Sequence, residues 1–378
     1  MDDLPVSPFQ ELPEALVEEM LSKSEAAGEQ LYNAFKEIKV NRDDLRKNLA
    51  GKGLLSKDSD YGSPDVPTTS GVDGSYGVER LLSSDIVAAA AVAMEGLVPP
   101  SEKRYWAAPH HRVFIKPMQH NADSGTIVRG IMMTMELDLA SKAPHEVILV
   151  DGSMTTPFIY LNQSLNAISG CLNLKDDFLS RIDETLQNYL LILESQRTDK
   201  SWAGLPKYTV KREIGEILKW SEAHDDRALL TSILEAGEMT KPIHMIQPTD
   251  PWHLNIPADK KASLGDIVDK IIMALKNIYV FYYKPHSWTP AFRVEVSSSV
   301  ALNRNRLAVV LQALRSQCIT PSIMECFPLY IADRMVKHLA YCIPAFRQIM
   351  TQHMANKHTG DVGEIFLGMH GYRTEIGR

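Results

Sequence analysis

The chain has little cysteine, no long apolar run and no nucleotide-binding glycine loop, and each absence removes a class of protein. Its four cysteines, Cys171, Cys318, Cys326 and Cys342, show no C-x-x-C spacing. They are too sparse for a disulfide-built secreted scaffold and lack the pairing of a zinc site, so they read as reduced thiols in a cytoplasmic protein. No stretch approaches the ~18 uninterrupted apolar residues that a membrane span needs. The first residues are acidic (Asp2, Asp3, Glu11) where an export signal would be cationic. A G-x-x-x-x-G-K-[ST] loop is missing, which excludes P-loop ATP hydrolysis, and no nucleophile-base triad stands out.

Positive charge is outnumbered, with 40 Lys and Arg against 47 Asp and Glu. The net charge is −7, and basic residues gather only in short runs such as Lys103-Arg104 and His110-His111-Arg112. That balance argues against a surface that grips nucleic acid everywhere, while leaving room for a local basic track. A hydrophobic content of 44% with 23% charged residues belongs to a globular protein with a real core.

What is present is a repeated tetrapeptide. Val72-Asp73-Gly74-Ser75 returns as Val150-Asp151-Gly152-Ser153, each copy beside an apolar, strand-like run. Asp-Gly alone is a common turn dipeptide, because Asp accepts a downstream N–H and Gly tolerates positive φ. Two full copies next to strands point instead to two acids placed at strand-turn junctions.

The order of elements supports this reading. Residues 13–49 have the three- and four-residue apolar spacing of an amphipathic helix, either packed on its own domain or free to dock a partner or a second copy. Residues 51–70 read as a linker. Strand, strand, strand, helix and strand then follow to Asp151, with the helix at about 124–141. The Ala-rich run 83–94 is the second strand, with an Ala-rich helix as the competing reading. This order predicts an α/β fold with a ribonuclease-H-like mixed sheet, flanking helices and an N-terminal helical arm. The expected organisation is an arm and linker over 1–66, a main domain over 67–345 with a helical insertion at about 156–275, and a polar tail over 346–378.

A third acid comes from the helix. At ~100° per residue, Glu136 lies about 40° from Met132 and edges the buried face, whereas Asp138 points about 120° away and should be solvated. A carboxylate at a core edge costs several kcal/mol unless it is paired or metal-bound. Arg129 on the same side is one possible partner. Hard divalent cations take oxygen ligands, and ions held by several carboxylates activate water and steady a leaving oxygen at a phosphodiester. A small-phosphoester hydrolase is a weaker alternative, since no Gly-rich phosphate cradle accompanies the acids.

These motifs, with a Lys-bearing segment (Lys207, Lys211) and the late strand Phe292-Arg293-Val294-Glu295-Val296, resemble the NurA family of nucleases. The resemblance runs from about residue 68 to 340. It implies a ribonuclease-H-like core, a homodimer, manganese or magnesium as cofactor, DNA as substrate, and a HerA-like hexameric ATPase as partner in end processing or defence against foreign DNA. Carried over by position, it implies Asp73, Glu136 and Asp151 as metal ligands, and Lys207 or Lys211 as the family's lysine. Arg129 joins these lysines as a candidate DNA contact. Where the family pattern has Tyr-Pro and then Ala-His, this chain has Phe327-Pro328 and Ala332-Asp333, with His338 further on. Asp333 therefore either completes the catalytic set or pairs with Lys337 at i+4. The departure also motivates a second reading, a NurA-like cap or adaptor on a hexameric motor.

Overall fold

The structure, a computed structural model, describes residues 12–97 and 104–377. Asp2, Asp3, Glu11 and Lys103 lie outside the described residues. The N-terminal spacing folds as one helix, α1 (Glu14–Gly51). Its first half leaves Leu31 and Phe35 exposed, whereas Ile38 and Leu49 are buried and Arg46 pairs with Glu238 at 2.6 Å. The second half of the helix thus packs on its own domain, while the first half presents apolar side chains to solvent. The linker carries a strand, β1 (Leu55–Lys57), because its backbone finds a partner further along the chain.

The central strands follow: β2 (Thr69–Leu81), β3 (Asp85–Glu95), β4 (His110–Met118), the helix α2 (Ser124–Lys142) and β5 (Val147–Asp151). Next come α3 (Thr156–Ala167), α4 (Leu172–Glu194), β6 (Ser201–Leu205), α5 (Glu213–Leu218) and α6 (Asp226–Ile233). The chain continues through β7 (Glu238–Thr240), β8 (Ile243–His244), α7 (Lys261–Lys276), β9 (Ile278–Lys284) and β10 (Phe292–Ser297). It closes with α8 (Ser298–Ala301), α9 (Arg304–Gln317), α10 (Phe327–Lys357), α11 (Val362–Gly368) and β11 (Gly371–Gly377).

One sheet organises all of this, in the order β1-β7-β9-β10-β6-β5-β2-β3-β4, with β11 pairing β2 and β8 pairing β9. Strands β2, β3 and β4 form an antiparallel meander, while β5 runs parallel to β2 and β6 parallel to β5. This is the ribonuclease-H-like wiring. The Ala-rich β3 is a strand despite alanine's preference for helix, because its small side chains let α2 pack on one face and α10 on the other. Helices on both faces bury two apolar layers, one under α2, α4 and α7, the other under α9 and the start of α10.

Two expectations change. Residues 156–275 are not purely helical, since β6, β7 and β8 join the same sheet. The region after 346 is not a loose tail: α10 runs to Lys357 through Pro344, and β11 fills the edge of β2 at Tyr76–Leu81 that β5, paired only with Thr69–Val72, leaves open. The segment from Lys207 to Lys211 is the exit from β6. Among the described residues, no helix is long and apolar enough to cross a membrane.

Candidate active site

The two tetrapeptides are aligned by strand pairing. Val72 sits opposite Val150 in the parallel β2–β5 register, so Asp73 and Asp151 emerge side by side. Their surroundings differ. Asp73 is in mid-strand, not at a turn, and only the second copy turns, at Gly152 with φ 86°. Gly74 is needed for space: a Cβ there would stand 2.9 Å from Met132 Cγ and 3.0 Å from Glu136 Cγ. The missing side chain is what admits Glu136 from α2 against the strand. We expect Gly74→Ala to displace Glu136 and lower activity by about 10- to 100-fold, the range seen when supports of a metal site are lost, and to lower the melting temperature as buried Met132 and Glu136 are forced aside. Side-by-side activity and thermal-melt measurements check this.

Asp73, Asp151 and Asp333 each offer an oxygen, all within 4.8 Å of one another. Asp333 reaches them from the second turn of α10, whose first turns pack on β2. The triad expected from Asp73, Glu136 and Asp151 is thus rearranged, with Asp333 in the close group and Glu136 buried behind it. All four line one cavity of about 400 Å³, together with Lys207, Glu325 and Tyr160.

The electrostatics show an excess of negative charge. Burial, then the charge of Asp151, holds Asp73 well above the usual carboxylate range. Glu136 is likewise pushed well up, first by burial and then by Asp73 and Asp151. Burial also raises Asp151, against the pull of Lys207. Asp333, half-buried, goes the other way: burial is outweighed by its bond to Lys337 and the charge of Lys207. Asp333 therefore pairs with Lys337 as the i+4 spacing predicts, and it also faces the other aspartates. Lys207 Nζ lies 3.3 Å from Asp151, 3.1 Å from Glu325 and 3.6 Å from Asp333. Burial works against its charge, but these three acids hold its pKa above the ordinary value.

The turn after Asp151 is pinned from β10. Glu295 Oε2 accepts hydrogen bonds from Ser153 Oγ and the Met154 N–H, both at 2.7 Å. Glu295 is itself ion-paired with Arg293, which also pairs with Glu213. The late Arg-x-Glu strand therefore supports the site from behind.

The remaining candidates are dispersed. Arg129 turns to α3, bonding Gln163 and lying 4.1 Å over the Tyr160 ring, not to Glu136. Lys211 is exposed and lines a neighbouring cavity. Asp138 is half-buried rather than solvated, because Arg112 and Lys142 pair with it. His338 is exposed and contacts Tyr341. Glu325 escaped sequence reasoning; it precedes α10 in a loop where no periodicity marks a facing side chain.

Comparison with known proteins bears on the fold and the family. The fold is similar to the crystal structure of the NurA nuclease from Sulfolobus solfataricus, at 16% identity over 90% of this chain and 98% of that one, with a TM-score of 0.60. It is also similar to a crystal structure of NurA with manganese, at 14% identity over 90% and 99% of the two chains, with a TM-score of 0.53. No curated protein sequence matches. At these identities the structural likeness speaks for the fold, while the NurA domain model matches residues 67–337 directly. The chain belongs to the NurA family.

Proposed function

We propose that the chain is a metal-dependent deoxyribonuclease that hydrolyses phosphodiesters at the acid cluster. The observation that carries this is the convergence of three carboxylates within 4.8 Å, with Glu136 buried beside them. Such a donor set fits Mn²⁺ or Mg²⁺: the ligands are hard oxygens, and Asp73, Glu136 and Asp151 all have raised pKa values that added positive charge would relieve. The related NurA structure with manganese supports the same choice. Asp73, Glu136 and Asp151 would hold the ion, with Asp333 as a further oxygen donor. A bound divalent ion supplies a more acidic water and charge to steady the leaving oxygen.

The chain's own groups do the rest. Lys207, already in the cavity, is placed to meet a phosphate oxygen as a point charge. Glu136 and Asp73 keep their protons to higher pH than surface carboxyls and release them when positive charge arrives. Arg129, over the Tyr160 ring of the cavity wall, and Lys211, on the neighbouring cavity, would be outer contacts for the strand. Cleavage of labelled single- and double-stranded DNA with manganese, alone and with a HerA-like ATPase, tests the proposal. Loss on chelation supports it, and no cleavage under any of these conditions contradicts it.

The raised pKa values also predict a pH dependence. A carboxyl whose folded pKa exceeds its unfolded value of about 4 binds its proton more tightly when folded, so the ion-free protein loses stability as pH rises between the two values. Asp73→Asn removes that loss. Its melting temperature should exceed the wild type's by a margin that grows from pH 4 upward in chelator and shrinks or reverses in manganese. Thermal melts across pH check this.

We extend the reading to a cytoplasmic homodimer that works with a HerA-like hexameric ATPase in end processing or defence. Leu31 and Phe35, exposed on α1, give such an assembly an apolar face, and four free cysteines suit a reducing compartment. The adaptor reading is favoured by one feature, Lys207, which sits among the acids as an internal counter-charge. Manganese binding separates the two, because an adaptor has no use for it.

A further inference from the structure

We propose that the cavity beside the acid cluster is a base-stacking subsite for an unpaired nucleotide of the cleaved strand; this rests on the phosphodiester chemistry proposed for the acids. The cavity is about 570 Å³ and lies between the 206–211 exit from β6 and the 245–253 connection. It joins the acid cavity through shared residues Ser153, Pro206 and Tyr208. A phosphate held at the carboxylates would therefore have its neighbouring nucleoside at this opening.

The walls suit a base better than a phosphate. Tyr208 stands at the junction with 94% of its surface exposed, an aromatic ring offered to solvent on an irregular segment. The floor is rigid: Trp252 meets Phe158 edge-on at 5.7 Å and 89°, and its Nε1–H donates to Gln247 at 2.9 Å. On the wall, Gln163 takes Arg129 on its Oε1 and leaves its amide N–H groups to donate to a base edge. The charged side chains at the opening, Lys211 and Asp250, have opposite sign, and Arg293 and Glu295 behind them are paired. Lys211 can meet a flanking phosphate at the opening, and stacking on aromatic faces is what the rest of this cavity offers. The volume falls in the ~300–1,000 Å³ range of small-ligand pockets. A base reaches such a pocket only when it is out of the duplex stack. The subsite therefore selects strands with an unpaired nucleotide at the scissile phosphate.

The test is fluorescence anisotropy with a short labelled oligothymidylate and an abasic strand of equal length and charge, in calcium. Tyr208→Ala should weaken oligothymidylate binding about 5- to 100-fold, the value of one lost stacking contact. Tyr208→Phe should bind as wild type, and the abasic strand should bind wild type and Tyr208→Ala alike. Wild-type affinity in Tyr208→Ala would overturn the subsite, as would an equal loss for the abasic strand. If Tyr208→Ala instead changes the sedimenting mass with DNA binding intact, the surface joins protein chains and the proposal is wrong. Cleavage by wild type with manganese distinguishes the failures: with cleavage present, an unaffected Tyr208→Ala sinks the subsite alone, whereas a wild type that neither binds nor cleaves sinks both.

Discussion

Asp73→Asn is expected to lower manganese-dependent DNA cleavage by on the order of 10³-fold, with the fold intact. Asparagine keeps the shape of the side chain and can still accept from the Gly74 N–H, which bonds Asp73 Oδ1 at 2.8 Å. What it removes is the charge. Asp73 stands at the centre of the electrostatic network, raising Glu136 and sharing the close group with Asp151 and Asp333. Supports one shell out from a metal are worth about 10- to 100-fold, so a direct ligand should exceed them. Steady-state cleavage of labelled DNA, with the melting temperature as a control for folding, gives the comparison. A variant retaining more than about a tenth of wild-type rate would place the chemistry elsewhere, given the ligand argument.

The second large effect concerns stability. Arg293 is 2% exposed, and its partners Glu213 and Glu295 are fully buried. Removing one member of a buried ion pair typically costs about 3–5 kcal/mol, because a charge is left without compensation. Arg293→Met leaves two buried carboxylates without their counter-charge, Glu213 keeping the Tyr282 hydroxyl at 3.0 Å and Glu295 keeping its bonds from Ser153 and the Met154 N–H. We expect a loss of about 3–5 kcal/mol in urea unfolding, partly restored by adding Glu295→Gln. Cleavage should fall as well, since Glu295 holds the Ser153–Met154 turn behind Asp151. A loss below about 1 kcal/mol would mean that the network is not load-sharing in the way its burial suggests.

Much of this site was legible from residue order. Asp151 ends a β-branched run at a Gly turn, and a strand that stops there must present its last side chain at the sheet edge. Glu136 was legible from helical phase, as the acid on the buried arc of α2. Asp73 was legible as an acid but misplaced at a turn, since Gly74 reads as a turn residue when nothing in the sequence says that a glutamate from another element needs the space. Asp333 lay beyond phase arguments, because its direction depends on how α10 crosses β2. The same holds for Lys207, whose position among three acids is set by the exit path from β6. The role of β11 was hidden for a related reason: a short polar segment becomes a strand when an open edge awaits it, and that edge exists only because β5 ends at Asp151.

The central claim is that this acid cluster binds a divalent cation. Calorimetric titration of the metal-free protein with manganese tests it without reference to DNA, the ATPase or oligomeric state. The account predicts saturable binding by the wild type, accompanied by proton release because Asp73 and Glu136 hold their protons to unusually high pH. That heat should vanish in Asp151→Ala. A wild type that takes up no manganese, or an Asp151→Ala variant that binds it unchanged, would contradict the claim.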